Sequence, residues 1–285
     1  MIDLFVSDRR APAAEAALVM EAVGIDYVLA QHTYGWCVRV PPELAEQAHM
    51  QLQAYWNENQ PSQIKPVPAH VIDSGWAGVL GYLLIIWCIP ALEFYTQADF
   101  RGIGRLDAQA VAAGEWWRTM TALTLHADLG HIASNSLFGA LFGLFAGRYL
   151  GSGLGWLLVL ASAAIANLLN ALVQPGQFYA IGASTATFAA LGLVPAFGWR
   201  RGFFRGRDWK RGFAPIFGAI ALLAFTGFGA ENVDALGHLF GFSTGIAMGL
   251  LVAHIDLRGI SLMDQRRAGG VAAGFVALAW ITAFW

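Results

Sequence analysis

Charge is scarce in this 285-residue sequence: only 13% of the residues are Asp, Glu, Lys or Arg, and the net charge is −2. That balance offers no basic patch for nucleic acid and too little polar surface for a soluble domain of this length. Cysteine is nearly absent. The two present, Cys37 and Cys88, sit in different sequence environments and read as packed free thiols rather than a disulfide or a metal site. No apolar stretch holds a second histidine at helical spacing with an acidic partner, so no metal and no other cofactor is expected. Residues Met1 to Asp8 lack a basic start, an apolar run and a small-residue cleavage site. They predict no signal peptide, leaving the first span as its own insertion signal. Long hydrophobic runs are missing before Trp76, and carboxylates are essentially missing from the runs after the first, which speaks against an ion-coupled transporter or channel.

What the sequence has in abundance is apolar surface, 57% hydrophobic residues with a mean hydropathy of +0.53, more than a soluble core needs. The polar first part reads as βαββα. It has a strand over Ile2 to Val6, a helix over Ala13 to Val23 stopped by Gly24, strands over Tyr27 to Ala30 and Trp36 to Val40, and a helix from Pro41-Pro42 to Asn57. This predicts a small α+β domain over 1–58 and a proline-bearing linker over 59–75. Seven apolar stretches follow, near 76–95, 131–150, 154–173, 183–199, 214–229, 237–255 and 268–285. Each approaches the ~17–25 residues of a membrane-crossing helix. The fold class expected is an α-helical polytopic membrane protein with a small α+β N-terminal domain.

Basic residues set the expected orientation. Arg200, Arg201, Arg205, Arg207, Lys210 and Arg211 follow the fourth stretch, and Arg258, Arg266 and Arg267 follow the sixth. The loops before the fourth and sixth stretches carry no Lys or Arg. Both basic loops and the N-terminal domain are therefore expected in the cytoplasm and the C-terminus outside.

A strongly polar group at membrane depth is expensive, so the few present are functional candidates. His131 and Asn135 open the second stretch, Ser184 the fourth and His238 the sixth, all on the expected outer side. His131 and Asn135 are four apart and share a helix face. Gly237, Gly241, Gly245 and Gly249 recur every four residues, a small-residue seam that permits close helix approach beside His238. A serine hydroxyl needs a base, and a neutral histidine within reach is the usual one; Ser184 and His238 fit that pair. The charge developing on an attacked carbonyl needs aimed donors, for which His131, Asn135 and the Ser184 N–H are candidates. No acidic third member presents itself within the stretches, so the arrangement reads as a dyad.

These residues resemble the rhomboid intramembrane protease family. Glu115-Trp116-Trp117-Arg118 is similar to its ExWR element, followed by Thr121, His126, His131 and Asn135 at similar spacings. His131 to Asn135 matches its HxxxN pair, Gly182-Ala183-Ser184 its GxSG nucleophile motif, and His238 with Gly241 and Gly245 its HxxGxxxG motif. Phe188 matches an aromatic position that packs on the catalytic histidine. The resemblance covers about 76–255 and implies a six-helix rhomboid bundle with a membrane-embedded loop after its first span and a cap loop between its fifth and sixth. One C-terminal span is added within 256–285. It further implies cleavage of the transmembrane segments of single-span proteins, with Glu115, Trp117 and Arg118 fixing the loop. Transmembrane protein substrates and membrane lipid are the expected partners, and the compact loops suit a bacterial inner membrane. Thr185 departs from the motif's glycine, placing a β-branched residue where the backbone needs freedom to form the oxyanion site, which predicts a lowered rate.

Overall fold

The computed structural model describes residues 1–59, 69–174, 176–203, 218, 220, 221 and 234–285. The chain divides into two compact units, Met1–Ile64 and Lys65–Trp285. The first is built on an antiparallel sheet in the order β1-β3-β2, from β1 (Ile2–Ser7), β2 (Val28–His32) and β3 (Gly35–Val40). The register sets Ile2 opposite Val40 and Val28 opposite Arg39. Gly35, at φ +134°, makes the turn into β3 where a side chain would run into the Ser7 main chain. Helices α1 (Arg10–Ala22) and α2 (Ala45–Glu58) join β3 in a core of Ala16, Met20, Val38, Val40 and Leu52.

The second unit is helical. Four of its described helices are long and apolar enough to cross a membrane: α3 (Trp76–Thr96), α7 (Leu129–Leu150), α8 (Ser152–Val173) and α10 (Ala235–Val252). Two further long helices are α9 (Ser184–Arg200), of 17 residues, and α11 (Leu262–Ala283), whose first turns carry Asp264, Arg266 and Arg267. The protein is a polytopic helical membrane protein. Apart from residues 218, 220 and 221, the stretch expected at 214–229 lies outside the described residues, as do residues 230–233 of the cap loop after it.

The link between α3 and α7 is folded. It holds α4 (Phe100–Gly104), β4 (Leu106–Asp107), α5 (Ala108–Ala112) and α6 (Arg118–Thr121). Arg118 ties it together: its Nε donates to Glu115 Oε2 at 2.6 Å, and its Nη1 donates to the Gly102 and Arg105 carbonyls at 3.2 and 2.9 Å. The link is also pinned to the helices, since Asn167 Nδ2 donates to the Thr119 carbonyl at 2.9 Å and Trp280 Nε1 to Thr124 Oγ1 at 3.1 Å. Trp117 is half-buried, with its ring against Trp116.

Two expectations need correction. Cys37 is buried, but Cys88 is exposed. The buried face of α3 is Val79, Tyr82, Ile86 and Ile89, and Cys88 lies about half a turn from Ile86 at 100° per residue. Thr185 does not stiffen an irregular turn, because it already lies in α9 and has no positive φ. Its buried side chain packs on α10, with Cγ2 3.3 Å from where a Cβ on Gly241 would be.

Candidate active site

Ser184 opens α9 at the end of a short, heavily anchored segment. β5 (Tyr179–Ala180) pairs with β4, Leu106 facing Ala180 and Asp107 facing Tyr179. The Ala108 N–H donates to the Phe178 carbonyl at 3.1 Å, and the Gly182 N–H donates to the Ala122 carbonyl at 2.9 Å. The chain then turns into the helix through Gly182 at φ +136°, a conformation that side chains rarely adopt. The positive φ of this turn thus falls two residues before the serine. The first N–H groups of an α-helix have no intrahelical partner and carry its positive end, and Ser184 stands at that end of α9.

His238 sits one turn into α10, 6% exposed. Its Nε2 lies 2.8 Å from Ser184 Oγ, a hydrogen bond across 54 residues of sequence. The Phe188 ring, one turn along α9 from the serine, lies 4.4 Å from the imidazole centroid at 34°. The glycine seam explains how α9 and α10 come this close. A Cβ at Gly241 would stand 2.5 Å from the Thr185 carbonyl, and one at Gly245 or Gly249 would run into the Ala189 or Leu193 carbonyl. Positions 185, 189 and 193 of α9 therefore rest directly on 241, 245 and 249 of α10.

The same seam does not include Gly237. A side chain there would collide with Asp234, and that leads to a device the sequence pattern missed. Asp234 caps α10: its Oδ1 accepts from the Gly237 N–H at 2.9 Å, and its carbonyl accepts from the His238 N–H at 3.0 Å. Its Oδ2 accepts from Asn170 Nδ2 of α8 at 2.6 Å, and Asn170 is fully buried. Burial raises the Asp234 carboxyl above its usual value, with the Gly237 and Asn170 hydrogen bonds opposing the shift. An aspartate four residues before a buried histidine was the available signal. Its partner, 64 residues away, was not.

His131 and Asn135 lie on α7, which Asp128 caps by accepting from the His131 N–H at 2.8 Å. The Ala127 N–H donates to His131 Nδ1 at 3.3 Å, so that nitrogen is the acceptor and the proton of the neutral ring is on Nε2. Nε2 faces the serine turn, 2.8 Å from the place a Gly182 Cβ would take, and Ser184 Oγ is 3.5 Å from that same point. Ser184, His238, His131 and Gly182 thus meet around one small space. Asn135 is buried and its Nδ2 donates to the His131 carbonyl at 3.0 Å, which leaves its second amide proton available. Tyr82 of α3 holds this turn by donating to the Asn135 carbonyl at 2.8 Å and stacking on Trp156 at 4.7 Å.

His126, just before α7, is 4% exposed, with its ring centroid 5.2 Å from that of His131. Its ring nitrogens find no hydrogen-bond partner among the described residues. Burial, with a further contribution from His131, pushes its pKa down to about 4. It is a neutral imidazole at neutral pH.

The family model described as the Rhomboid domain matches residues 113–255, half of the chain. A putative rhomboid protease, YdcA of Bacillus subtilis, is 26% identical over 173 residues, which span 61% of this chain and 85% of that protein. The rhomboid protease GluP of the same organism is 33% identical over 52% of this chain, but the match spans only 29% of its own length. Rhomboid-like protease 3 of Toxoplasma gondii is 32% identical over 58% of this chain and 63% of its own length. The family match runs from the folded link through α10, so it takes in the serine turn, both histidines and the glycine seam. The chain belongs to the rhomboid family of membrane proteases.

Proposed function

We propose that this chain is an intramembrane serine endopeptidase that cuts transmembrane segments of single-span proteins with a Ser184–His238 dyad. The observation that carries the reading is the 2.8 Å contact between Ser184 Oγ and His238 Nε2. In the resting dyad Nε2 is the acceptor, so the hydroxyl proton passes to His238 as Oγ attacks the scissile carbonyl. The carbonyl oxygen becomes an oxyanion beside the Ser184 N–H, the His131 Nε2–H and the second amide proton of Asn135. His238 then returns the proton to the leaving amine nitrogen, the C–N bond breaks and an acyl-Ser184 ester remains. Water, deprotonated by His238, hydrolyses that ester and restores the serine.

The other residues have supporting roles in this reading. Phe188 limits the tilt of the imidazole, Gly182 keeps the oxyanion space open, and Gly241 and Gly245 let α10 approach α9. Glu115, Trp117 and Arg118 stiffen the folded link on which the serine turn rests. An extended substrate adds as a strand beside the segment before Ser184. The proposed architecture is a six-span core at 76–255 with one further span, the N-terminal domain and the basic loops in the cytoplasm of a bacterial cell, and the C-terminus outside.

The test is cleavage of a tagged single-span substrate by purified protein in proteoliposomes. The wild type is expected to release product, with Ser184→Ala and His238→Ala silent. Equal cleavage by either variant overturns the dyad.

A further inference from the structure

A cavity of about 520 Å³ lies between α3, α8 and α11, and its lining includes neither Ser184 nor His238. Its volume falls in the ~300–1,000 Å³ range of ligand sites. The facing walls carry small residues: Ala77 and Gly81 on α3, and Gly269, Ala272 and Ala273 on α11. A Cβ at Gly81 would meet nothing within 4 Å. Along α11 the lining runs from Leu262 to Val276, about 21 Å at 1.5 Å per residue, a little more than half of a ~30 Å hydrocarbon core. The cavity walls are apolar over most of that length, which suits a hydrocarbon chain.

Asp73, Ser152, Gln265 and Arg266 gather at one end of the cavity, while Tyr82, Thr124 and Trp156 line it further in, and most of these polar groups are already committed. Asp73 accepts from the Gly75 and Ser152 N–H groups and from Ser152 Oγ. Gln265 Oε1 accepts from the Gly153 and Leu154 N–H groups, and its Nε2 donates to the Leu150 carbonyl. Arg266, exposed beside them, has no ion pair among the described residues; its neighbour Arg267 takes Asp264. The deeper walls are Ile85, Ile86, Val159, Leu160 and Val276. These walls suit hydrocarbon, which is the solvent of this depth.

We propose that this cleft binds a phospholipid, with one acyl chain between α3 and α11 and the phosphate on Arg266. Ala183 and Ala186 form part of the wall. The acyl chain therefore packs against the back of the serine turn.

The test uses the full chain in phosphatidylcholine nanodiscs doped with phosphatidylcholine carrying a mid-chain diazirine. Adducts are mapped after illumination by peptide mass spectrometry. Ile85 and Leu160, half-buried in the cleft lining, report the cleft; Leu84 and Leu278, 71% and 48% exposed, report surrounding lipid. Adducts are expected at all four. Gly81→Leu with Ala273→Leu, which fills the space, lowers those at Ile85 and Leu160 at least fivefold and leaves the other two unchanged. Arg266→Gln, a surface change that leaves the walls intact, lowers them threefold or more, and Arg266→Lys restores them. Adducts confined to Leu84 and Leu278, or cleft adducts indifferent to Arg266→Gln, overturn the proposal. The readout requires no proteolysis, so its failure is distinct from a failure of the dyad.

Discussion

Replacing Gly182 by alanine tests the active-site geometry with a single methyl group. The new Cβ would stand 2.8 Å from both Cε1 and Nε2 of His131, where carbon contacts settle at about 3.5–4.0 Å. The imidazole must therefore retreat by about 0.7 Å or more, out of the space it shares with Ser184 Oγ. The φ of +136° adds strain of order 1–3 kcal/mol for a side-chain-bearing residue. Losing one oxyanion donor costs about 100- to 1,000-fold in rate, and a misplacement near 1 Å about 100-fold. Gly182→Ala is thus expected to lower kcat/KM on a single-span substrate in proteoliposomes by about 100- to 1,000-fold while the protein stays folded. Gly176→Ala is the control: φ is +74° there, but a Cβ would meet nothing within 4 Å, so it shares the backbone strain without filling the site. Activity of Gly182→Ala within threefold of wild type, or an equal loss in Gly176→Ala, refutes the reasoning.

The remaining predictions concern the supports of the site. Asp234→Ala removes the α10 cap and the tie to Asn170. It is expected to cost about 1–2 kcal/mol of stability and tenfold to a hundredfold in kcat with KM little changed, whereas Asp234→Asn keeps an acceptor for the Gly237 N–H and most of the rate. His126 is held near pKa 4 when folded against an ordinary 6.5, so the unfolded chain takes up its proton first as the pH falls. Its contribution is fully present above about pH 6.5 and is lost on the way down to pH 4, about 3 kcal/mol in all. Unfolding in detergent at pH 7 and pH 4.5 should show that slope in the wild type and a shallower one in His126→Asn. Trp280→Ala deletes the tilted ring contact with Phe100 and the hydrogen bond to Thr124, and is expected to lower stability by about 3–5 kcal/mol in the same assay.

The residues that meet at the site were legible because the membrane makes polar side chains conspicuous. Ser184, His238, His131 and Asn135 stood out as the polar openings of apolar stretches, and the four-residue glycine period announced the close contact of α9 and α10. Hydropathy was less able to find helix ends. It started the second stretch at His131 and the last at Ala268, whereas the helices begin at Leu129 and Leu262 behind the caps Asp128 and Ser261. Capping depends on one side chain and an orphan N–H, which an average over twenty residues hides. The α11 start carries Asp264, Arg266 and Arg267, so its first turns looked like loop. The Asp234–Asn170 tie and the role of Gly182 were not legible, because both arise from contacts between segments distant in sequence. The exposed Cys88 was misjudged because hydropathy does not say which face of α3 packs.

The central claim is that Ser184 is a nucleophile activated by His238, and its most direct test is covalent trapping in a lipid bilayer. A fluorophosphonate incubated with the reconstituted protein and followed by intact-mass and peptide mass spectrometry should leave one adduct. It should sit on Ser184 in the wild type and be absent from both Ser184→Ala and His238→Ala. An adduct on another residue, or undiminished labelling of Ser184 in His238→Ala, would contradict the account.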